Sequence, residues 1–452
     1  MNLNSIKFSN SLVVLCLSVL LFTLPIPGTN ALRYLCAITL LCISLWISYN
    51  QNLYSPLLKN SFLRSILIIL IVLTGYIFLH TLYQSHEIEW SLSEFKGHWL
   101  VPIAFLLLGL LLCNVFEKNF SQNSIGIINL VFFAIFFHIL YVDFIALDYF
   151  LSDRELPRRI GALTAGPDNL NYLTNILFSI ATADLISRKT IKRRIIMSSD
   201  MFLLFMISCL IVSSYLAETR NGYISIIMIS IISIYFYYRK NDSKLKKKTA
   251  IVSLLILLLA FGSLFFADKR SKDFIETFYI SLDTDKYDYW ITRSGQPPIL
   301  NDGSKVSDSN YLRMTWIIKS LEYLYHNPNG IGFGRNAFGH AIEIHENNSS
   351  SRGMHSHSAI LDFSLGVGLL GLFFWVAYIT FILIKSHDSF INNSNPYALA
   401  SFLLIFDFFL RSFIDSNMRD HYFQMFFLVT GIFLMKQIIE SQDKHEKENI
   451  SY

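Results

Sequence analysis

The sequence has 452 residues, enough for roughly two or three soluble domains, but its composition excludes that organisation. Hydrophobic residues make up 53% of the chain and charged residues only 15%, against roughly 25% charged in soluble proteins. Long apolar runs recur along the chain, which excludes a disordered protein and a disulfide-linked secreted domain. The net charge of +4 is too small to indicate binding to nucleic acid. We therefore expect a multi-pass membrane protein.

Twelve apolar runs are long enough to cross a bilayer as helices, which takes about 20 mostly apolar residues each. We place them at 11–24, 32–49, 62–83, 99–116, 122–147, 169–187, 200–216, 222–238, 249–267, 358–384, 397–414 and 420–435. The first run resembles a signal peptide in length, but Pro25-Ile26-Pro27 follow it in place of small cleavage-site residues, so it is predicted to be retained. The five cysteines lie inside apolar runs, and no disulfide framework is expected.

The distribution of basic residues predicts the orientation. An even number of spans places both termini on one side, and with cytoplasmic termini the inside connections carry eighteen Lys and Arg. The short outside connections carry only six, as the positive-inside rule requires. The sequence therefore predicts an all-α polytopic fold of about twelve transmembrane helices, with the N- and C-termini in the cytoplasm.

One long polar segment, residues 268–356, interrupts the spans and divides the chain into residues 1–267, the loop, and residues 357–452. Long loops cross a membrane largely regardless of charge, so it is placed outside. Apolar residues recur at helical spacing from Leu312 to Leu324, which predicts a helix in the loop, and a second amphipathic helix is expected between Asn336 and Glu346.

Two glycine patterns carry no nucleotide site. Gly366-Val367-Gly368-Leu369-Leu370-Gly371 has the letters of a dinucleotide fingerprint, but it lies inside a hydrophobic span with no strand before it. Close helix packing through small residues is the expected explanation. Gly330-Ile331-Gly332-Phe333-Gly334 follows a helix and predicts a turn.

Several arginines are predicted at the outer membrane face. Arg220 lies between spans 7 and 8, Arg313 lies on the loop helix, and Arg158 and Arg159 precede span 6. Each has a simpler interpretation: Arg220 can extend to the headgroups, Arg313 can lie on a solvated helix face, and the paired basics can contact lipids. Together they suit a diphosphate, because the planar guanidinium matches phosphate oxygens, and the diphosphate expected there is lipid-linked.

Four histidines, His340, His345, His355 and His357, precede span 10. A histidine can accept a proton near neutral pH, which suits the activation of a sugar hydroxyl. The alternatives are satisfied surface histidines, or a metal site that includes Glu343 or Glu346, although the spacing fits no strong zinc signature.

Arg411, Asp415 and Arg419 follow one another at four-residue intervals between spans 11 and 12. On a helix this spacing makes ion pairs, and the simplest interpretation is a structural pair that staples the two spans. A role in substrate contact is the alternative.

In these features the sequence resembles the O-antigen ligase family. Thr219-Arg220 resembles the family's Thr-Arg or Ser-Arg element, and Tyr311 to Trp316 with the exit 327–332 resembles its loop helix with a single arginine. His357, followed by Gly368 and Gly371, resembles the His-Asn-x-x-Leu lead into a glycine-bearing span, and 158–171 resembles the glycine-containing entry to a span. Two departures are Ser358 in place of asparagine after the histidine, and Ser364-Leu365 where many members have an acidic residue.

The resemblance implies a glycosyltransferase that needs no metal or other cofactor. It moves a glycan from undecaprenyl diphosphate to lipid A-core at the periplasmic face of the bacterial inner membrane, with inversion, while the loop shields the reaction. His357 is the implied catalytic residue, with His355 as a rival that the alignment to the glycines disfavours. Arg220 and Arg313 are implied to bind the diphosphate, and Arg159, Arg419 and His355 are possible further substrate contacts.

Three alternatives remain open. An O-antigen polymerase shares the fold and the donor, but Arg313 on the loop helix and the His355-x-His357 pattern favour the ligase. A protein-glycosylating relative would usually carry a larger C-terminal extension. A transporter would explain the hydropathy, but it would need polar or broken helices at mid-membrane, whereas the candidate residues gather at one face.

Overall fold

A computed structural model describes residues 3–53, 59–119, 126–156, 159–164, 166–241, 243–244, 247–249, 251–252, 254–255, 273–293 and 296–450. Within these ranges the regular structure is helical, and the one β-type contact is an isolated bridge between Ile299 and Lys305. The main helices are α1 (Leu3–Thr23), α2 (Asn30–Asn50), α3 (Ser61–Tyr83), α4 (Ile88–Glu94), α5 (Val101–Asn119), α6 (Ile127–Leu151), α7 (Pro167–Thr190), α8 (Asp200–Ala217), α9 (Arg220–Lys240), α10 (Phe274–Leu282), α11 (Tyr289–Thr292), α12 (Asp308–His326), α13 (Ala337–Glu346), α14 (Ala359–Asn393), α15 (Pro396–Arg411) and α16 (Asp420–Ile450).

Eight helical stretches in the described ranges are long and apolar enough to cross a membrane. They confirm an all-helical membrane protein. Helices also occupy the predicted spans 11–24, 169–187 and 397–414, but these are shorter or less apolar. The predicted span 249–267 lies almost entirely outside the described residues, so the number twelve and the orientation stay predictions.

One helical stretch is longer than its sequence pattern suggested. The span predicted at 99–116 continues upstream through a π-helical turn, Phe95–Leu100, into α4, which makes a single stretch from Ile88 to Asn119. The π turn directs Trp99 inward, where its indole N–H donates to Thr74 Oγ1 at 3.1 Å. It also brings His98 to within 3.8 Å of Asp420 at the start of α16. A π turn of this kind often marks a functional region.

The central contact between spanning helices joins α5 and α16 through glycines. A Cβ on Gly109 would lie 2.3 Å from the carbonyl oxygen of Leu428, and one on Gly431 would lie 2.4 Å from that of Leu106. The two backbones therefore approach as closely as glycine allows, which is how small residues pack helices in membranes.

The segment between the spans forms its own core. α12 and α13 match the two helices expected there. Trp316 of α12 and Phe338 of α13 are buried in this core together with Trp290 of α11. The Trp316 indole N–H donates to the carbonyl of Trp290 at 3.0 Å. Leu321 is one of the apolar residues whose spacing predicted this helix, but its side chain is exposed and does not join the loop core.

α14 is kinked at Gly368, where the backbone has a φ of 72°. The turn that ends α12 packs into this kink. Ile331 N–H donates to Leu365 O at 2.9 Å, Gly332 N–H donates to Gly366 O at 2.9 Å, and Leu369 N–H donates to Pro328 O at 2.9 Å. A kink inside a spanning helix leaves backbone groups without helical partners, and the turn supplies them.

The two glycine patterns in the sequence therefore form one contact. A Cβ on Gly330 would lie 2.4 Å from the Gly368 nitrogen, and a Cβ on Gly368 would lie 2.4 Å from the Asn329 carbonyl carbon. The prediction that Gly366 to Gly371 pack against another helix is wrong for Gly366, where a Cβ would lie 3.2 Å from Gly332 O of the turn, and for Gly368. It packs against the loop turn, because its positive φ bends α14 toward the loop.

A buried asparagine holds the start of α9. Asn171 of α7 donates to Thr219 Oγ1 and accepts from Ser214 Oγ at 2.9 Å. Gly222 makes room for it, since a Cβ there would lie 2.4 Å from Asn171 Cγ. Thr219 thus fixes the position from which the next residue, Arg220, extends.

We predict that Gly330→Ala destabilises the protein more than Gly303→Ala. Both glycines have a φ of 84°, so both substitutions cost about 1–2 kcal/mol of backbone strain. Only Gly330 faces backbone atoms, whereas Gly303 has open space around it, so Gly330→Ala should cost roughly 1–3 kcal/mol more. Unfolding midpoints of the two purified variants measure the difference. Equal midpoints would show that the contact between the turn and the kink is loose.

Candidate active site

His357 lies in the short segment that joins the loop to α14, immediately before the N-cap Ser358. Its backbone has a φ of 59°, in the left-handed region that side chains other than glycine rarely adopt. Its imidazole stacks on Trp316 of α12, with ring centroids 5.3 Å apart and an angle of 5° between the ring planes. The loop helix therefore presents an aromatic surface to the predicted catalytic residue.

His355 supports this arrangement. Its Nδ1 accepts the backbone N–H of His357 at 3.3 Å and lies 2.9 Å from Ser416 Oγ. A ring nitrogen that accepts hydrogen bonds is unprotonated, so His355 is in the tautomer that carries its proton on Nε2. The rival histidine is thus engaged in holding the backbone of its neighbour, whereas His357 has no comparable hydrogen bond through its ring in the described part of the chain.

Asp362, in the first turn of α14, holds the backbone of the segment that contains the two histidines. Its buried carboxylate accepts the backbone N–H of Ser356 at 3.2 Å and that of Phe338, at the start of α13, at 3.3 Å. One side chain therefore joins the spanning helix, the residue between the two histidines and the loop helix.

Burial and neighbouring cations keep both histidines neutral. Burial lowers the pKa of His357 to about 4, with a further lowering from Arg313 that Asp415 partly offsets. Burial and the adjacent His357 lower the pKa of His355 to about 3. At neutral pH, His357 is therefore an unprotonated base.

Three arginines act electrostatically on His357: Arg313 of α12, Arg293 after α11, and Arg419 before α16. Arg419 pairs with Asp420 at 3.2 Å. Arg293 lies over the Trp316 ring, with its guanidinium carbon 4.7 Å from the centroid. Neither Arg293 nor Arg313 forms a direct ion pair with a carboxylate in the described ranges, so both bring net positive charge to the histidine.

Arg220 is tied to the same loop helix. Its Nη1 donates to Asn310 Oδ1 at 2.7 Å, and Asn310 lies in the first turn of α12, one turn before Arg313. The structure therefore places the two arginines predicted to bind the diphosphate at the same end of one helix.

Arg159 lies apart from the arginines that act on His357. It is exposed, has a φ of 55°, and interacts electrostatically with Asp168, as Arg313 also does. Arg158 lies outside the described residues.

The ion pairs predicted among Arg411, Asp415 and Arg419 are only partly confirmed. Arg411 pairs with Asp415 at 2.8 Å, but Arg419 pairs with Asp420, because α15 ends at Arg411 and no helix continues the spacing. Arg411 also donates to the carbonyl of Asp168 at 3.3 Å, so it staples α15 to α7 and not to α16.

Asp415 remains ionised beside the histidines. Burial alone would raise its pKa, but the guanidinium of Arg411 outweighs burial and lowers the pKa. Its negative charge favours a protonated His357, which opposes the effect of the arginines.

The other two histidines of the predicted cluster lie elsewhere. His340 stacks on Trp90 with centroids 3.7 Å apart, and His345 stacks on Tyr323 at 4.6 Å. In the ranges that the structure describes, no three His, Cys, Asp or Glu side chains are grouped to hold a metal ion.

Two contributors were absent from the sequence interpretation. Arg293 follows a four-residue helix in a polar stretch with no periodicity, so nothing in the sequence distinguished it from a solvated arginine. Asp362 offered a signal, since it is an acidic residue in the first turn of a hydrophobic span, where a carboxylate is costly unless it is used.

Comparison with known protein families gives one match in this region. Residues 202–376 match the family described as O-Antigen ligase, which confirms the resemblance seen in the sequence. The matched residues include Arg220, Arg293, Arg313, His355 and His357, whereas Arg159 and Arg419 lie outside. No curated protein matches the chain.

We predict that the protein loses stability as the pH falls from about 6.5 toward 4. The pKa of His357 is lower in the folded chain than in the unfolded chain, so the unfolded chain takes up more protons in this window. Each unit of lowered pKa corresponds to about 1.4 kcal/mol. Asparagine tolerates the positive φ but does not titrate in this range. The unfolding midpoint of His357→Asn should therefore fall less steeply than that of the intact protein as the pH is lowered. Parallel curves for the two proteins would show that His357 is not desolvated.

Proposed function

We propose that this chain, whose residues 202–376 carry the O-antigen ligase family region, transfers a glycan from undecaprenyl diphosphate to lipid A-core. The reaction takes place at the periplasmic face of the inner membrane. The observation that carries the proposal is a neutral histidine, stacked on Trp316, beside Arg293 and Arg313, which make no direct carboxylate pair within the described residues.

His357 acts as the base. It accepts the proton of an acceptor hydroxyl while that oxygen forms a bond to the anomeric carbon of the donor. The bond from this carbon to the diphosphate breaks, and the electron pair leaves with the diphosphate. A single displacement of this kind inverts the anomeric carbon, and Asp415 stabilises the imidazolium that results.

The base becomes stronger when the donor binds. In the free protein Arg313 helps to hold the pKa of His357 at about 4, which disfavours uptake of a proton. An anionic diphosphate beside the same arginines offsets their charge, so the pKa of His357 rises when the reaction needs it. Donor binding and base activation are thereby coupled through charge alone.

Arg220, Arg313 and Arg293 hold the diphosphate and stabilise the leaving group. Arg293 lies over the Trp316 ring, and a cation held by a ring face keeps its N–H donors for a ligand. His355 orients His357 through the hydrogen bond to its backbone, and Arg419 and Arg159 add positive charge around the site.

We expect His357→Asn to abolish transfer in cells, because asparagine accepts the left-handed backbone but cannot accept a proton at neutral pH. Cells lacking the protein are complemented with the intact chain, with His357→Asn or with the control His326→Asn, which alters an exposed histidine of the same loop. Gels of lipopolysaccharide are compared. The intact chain and the control should restore the long-chain ladder, and His357→Asn should leave polymer on its lipid carrier.

Two results would contradict this proposal. A full ladder with His357→Asn would remove the histidine from the mechanism. Loss of the protein that yields core plus a single repeat would identify a polymerase, which the family match alone does not distinguish from a ligase.

Arg293→Gln should lower kcat/KM for the donor by roughly 10- to 100-fold, the value of one charged hydrogen bond of about 1.5–3 kcal/mol. Arg293→Lys should recover part of the loss. The control is Arg352→Gln, because Arg352 also belongs to the loop but pairs with Glu343 at 2.6 Å. Initial rates at varied donor concentration provide the comparison. Equal activity of the Arg293 and Arg352 variants would exclude Arg293 from donor binding.

A further inference from the structure

Helix α10 has its polar and apolar faces reversed relative to a helix in water. Thr277 and Ser281 face the loop core and are 0% exposed. Ile275 and Tyr279, on the opposite face, are 69% and 67% exposed. The other exposed residues of that face are also apolar: Phe274, Phe278 and Leu282.

One hydrogen bond joins α10 to the next part of the loop, since Glu276 accepts the backbone N–H of Asn301 at 2.5 Å. The buried Ser281 hydroxyl donates within α10, to the carbonyl of Phe278 at 2.8 Å. α10 packs along α12. α12 also exposes an apolar stripe, formed by Ile317, Leu321 and Tyr325 at intervals of four residues. The two helices therefore present apolar side chains that the loop core does not cover.

We propose that this apolar face of α10 lies in the bilayer interface beside the spanning helices, with membrane lipid as its occupant. A helix whose exposed face is apolar and aromatic is suited to the boundary between headgroups and acyl chains. Tyrosine is typical of that depth, because its ring is apolar and its hydroxyl can reach water.

The position of α10 in the chain supports lipid over other occupants. Six residues separate Phe274 from the end of the predicted span at 267, so the helix begins within roughly 25 Å of that membrane boundary. At its other end, the loop is held to a spanning helix by the hydrogen bonds between the turn after α12 and the kink of α14. The loop is therefore held close to the membrane, and α10 has a short route to it.

The proposal is tested on the full-length chain in phospholipid vesicles that contain an alkyne-tagged phosphatidylethanolamine. The photo-reactive residue p-benzoylphenylalanine replaces Tyr279 in one protein and Asp285 in the other. Asp285 is a matched control, since its side chain is 95% exposed and lies six residues further along the loop. After irradiation, the tagged lipid attached to each protein is measured.

Reaction at position 279 should attach several times more lipid than reaction at position 285. Adding Ile275→Asp should lower the yield at 279 at least threefold and leave the yield at 285 unchanged. Equal yields at the two positions would show that the face is in water and overturn the proposal. A cross-linked pair of chains at 279 would overturn it in favour of a second copy. Lipid attachment is read without any transfer reaction, so this test is independent of the proposed function.

Discussion

The structure depends on the contact between the turn 327–332 and the kink of α14. A membrane leaves no water to satisfy backbone groups, so a break in a spanning helix needs partners from the protein itself. The turn provides them through the hydrogen bonds of Ile331, Gly332 and Pro328, and the Tyr76 hydroxyl donates to the carbonyl of Val367 at 2.8 Å. Gly330 and Gly368 are required because any side chain would separate the two backbones.

The site follows from this contact. The turn ends the helix that carries Trp316 and Arg313, and the kinked helix begins immediately after His357. Holding the two segments together fixes the aromatic ring and an arginine beside the histidine, and Asp362 and His355 then set the backbone between them. The same contact keeps His357 neutral, because it buries the imidazole and holds the positive charge of Arg313 near it.

The sequence was sufficient for features that repeat along the chain. Apolar runs predicted the spanning helices, and the helical spacing of apolar residues from Leu312 to Leu324 predicted α12, because both depend on local periodicity. The topology predicted Arg220 and Arg313 at the same membrane face, but not their joint position at one end of α12, since that depends on a hydrogen bond between residues 90 positions apart. Arg293 and the joint role of the two glycine patterns were not predictable, because each depends on a tertiary contact that leaves no periodic signal. Helix α10 was not predicted either, because its buried residues are polar and its exposed residues apolar, the reverse of the usual pattern.

The central claim is that this chain moves a glycan from a lipid diphosphate to lipid A-core with His357 as the base. The most direct test mixes the purified protein in vesicles with an undecaprenyl-diphosphate-linked glycan and lipid A-core, and measures both products. The account predicts one undecaprenyl diphosphate released for each glycan joined to lipid A-core, with an inverted anomeric carbon. Growth of the lipid-linked glycan with no product on lipid A-core, or transfer with retained configuration, would contradict it.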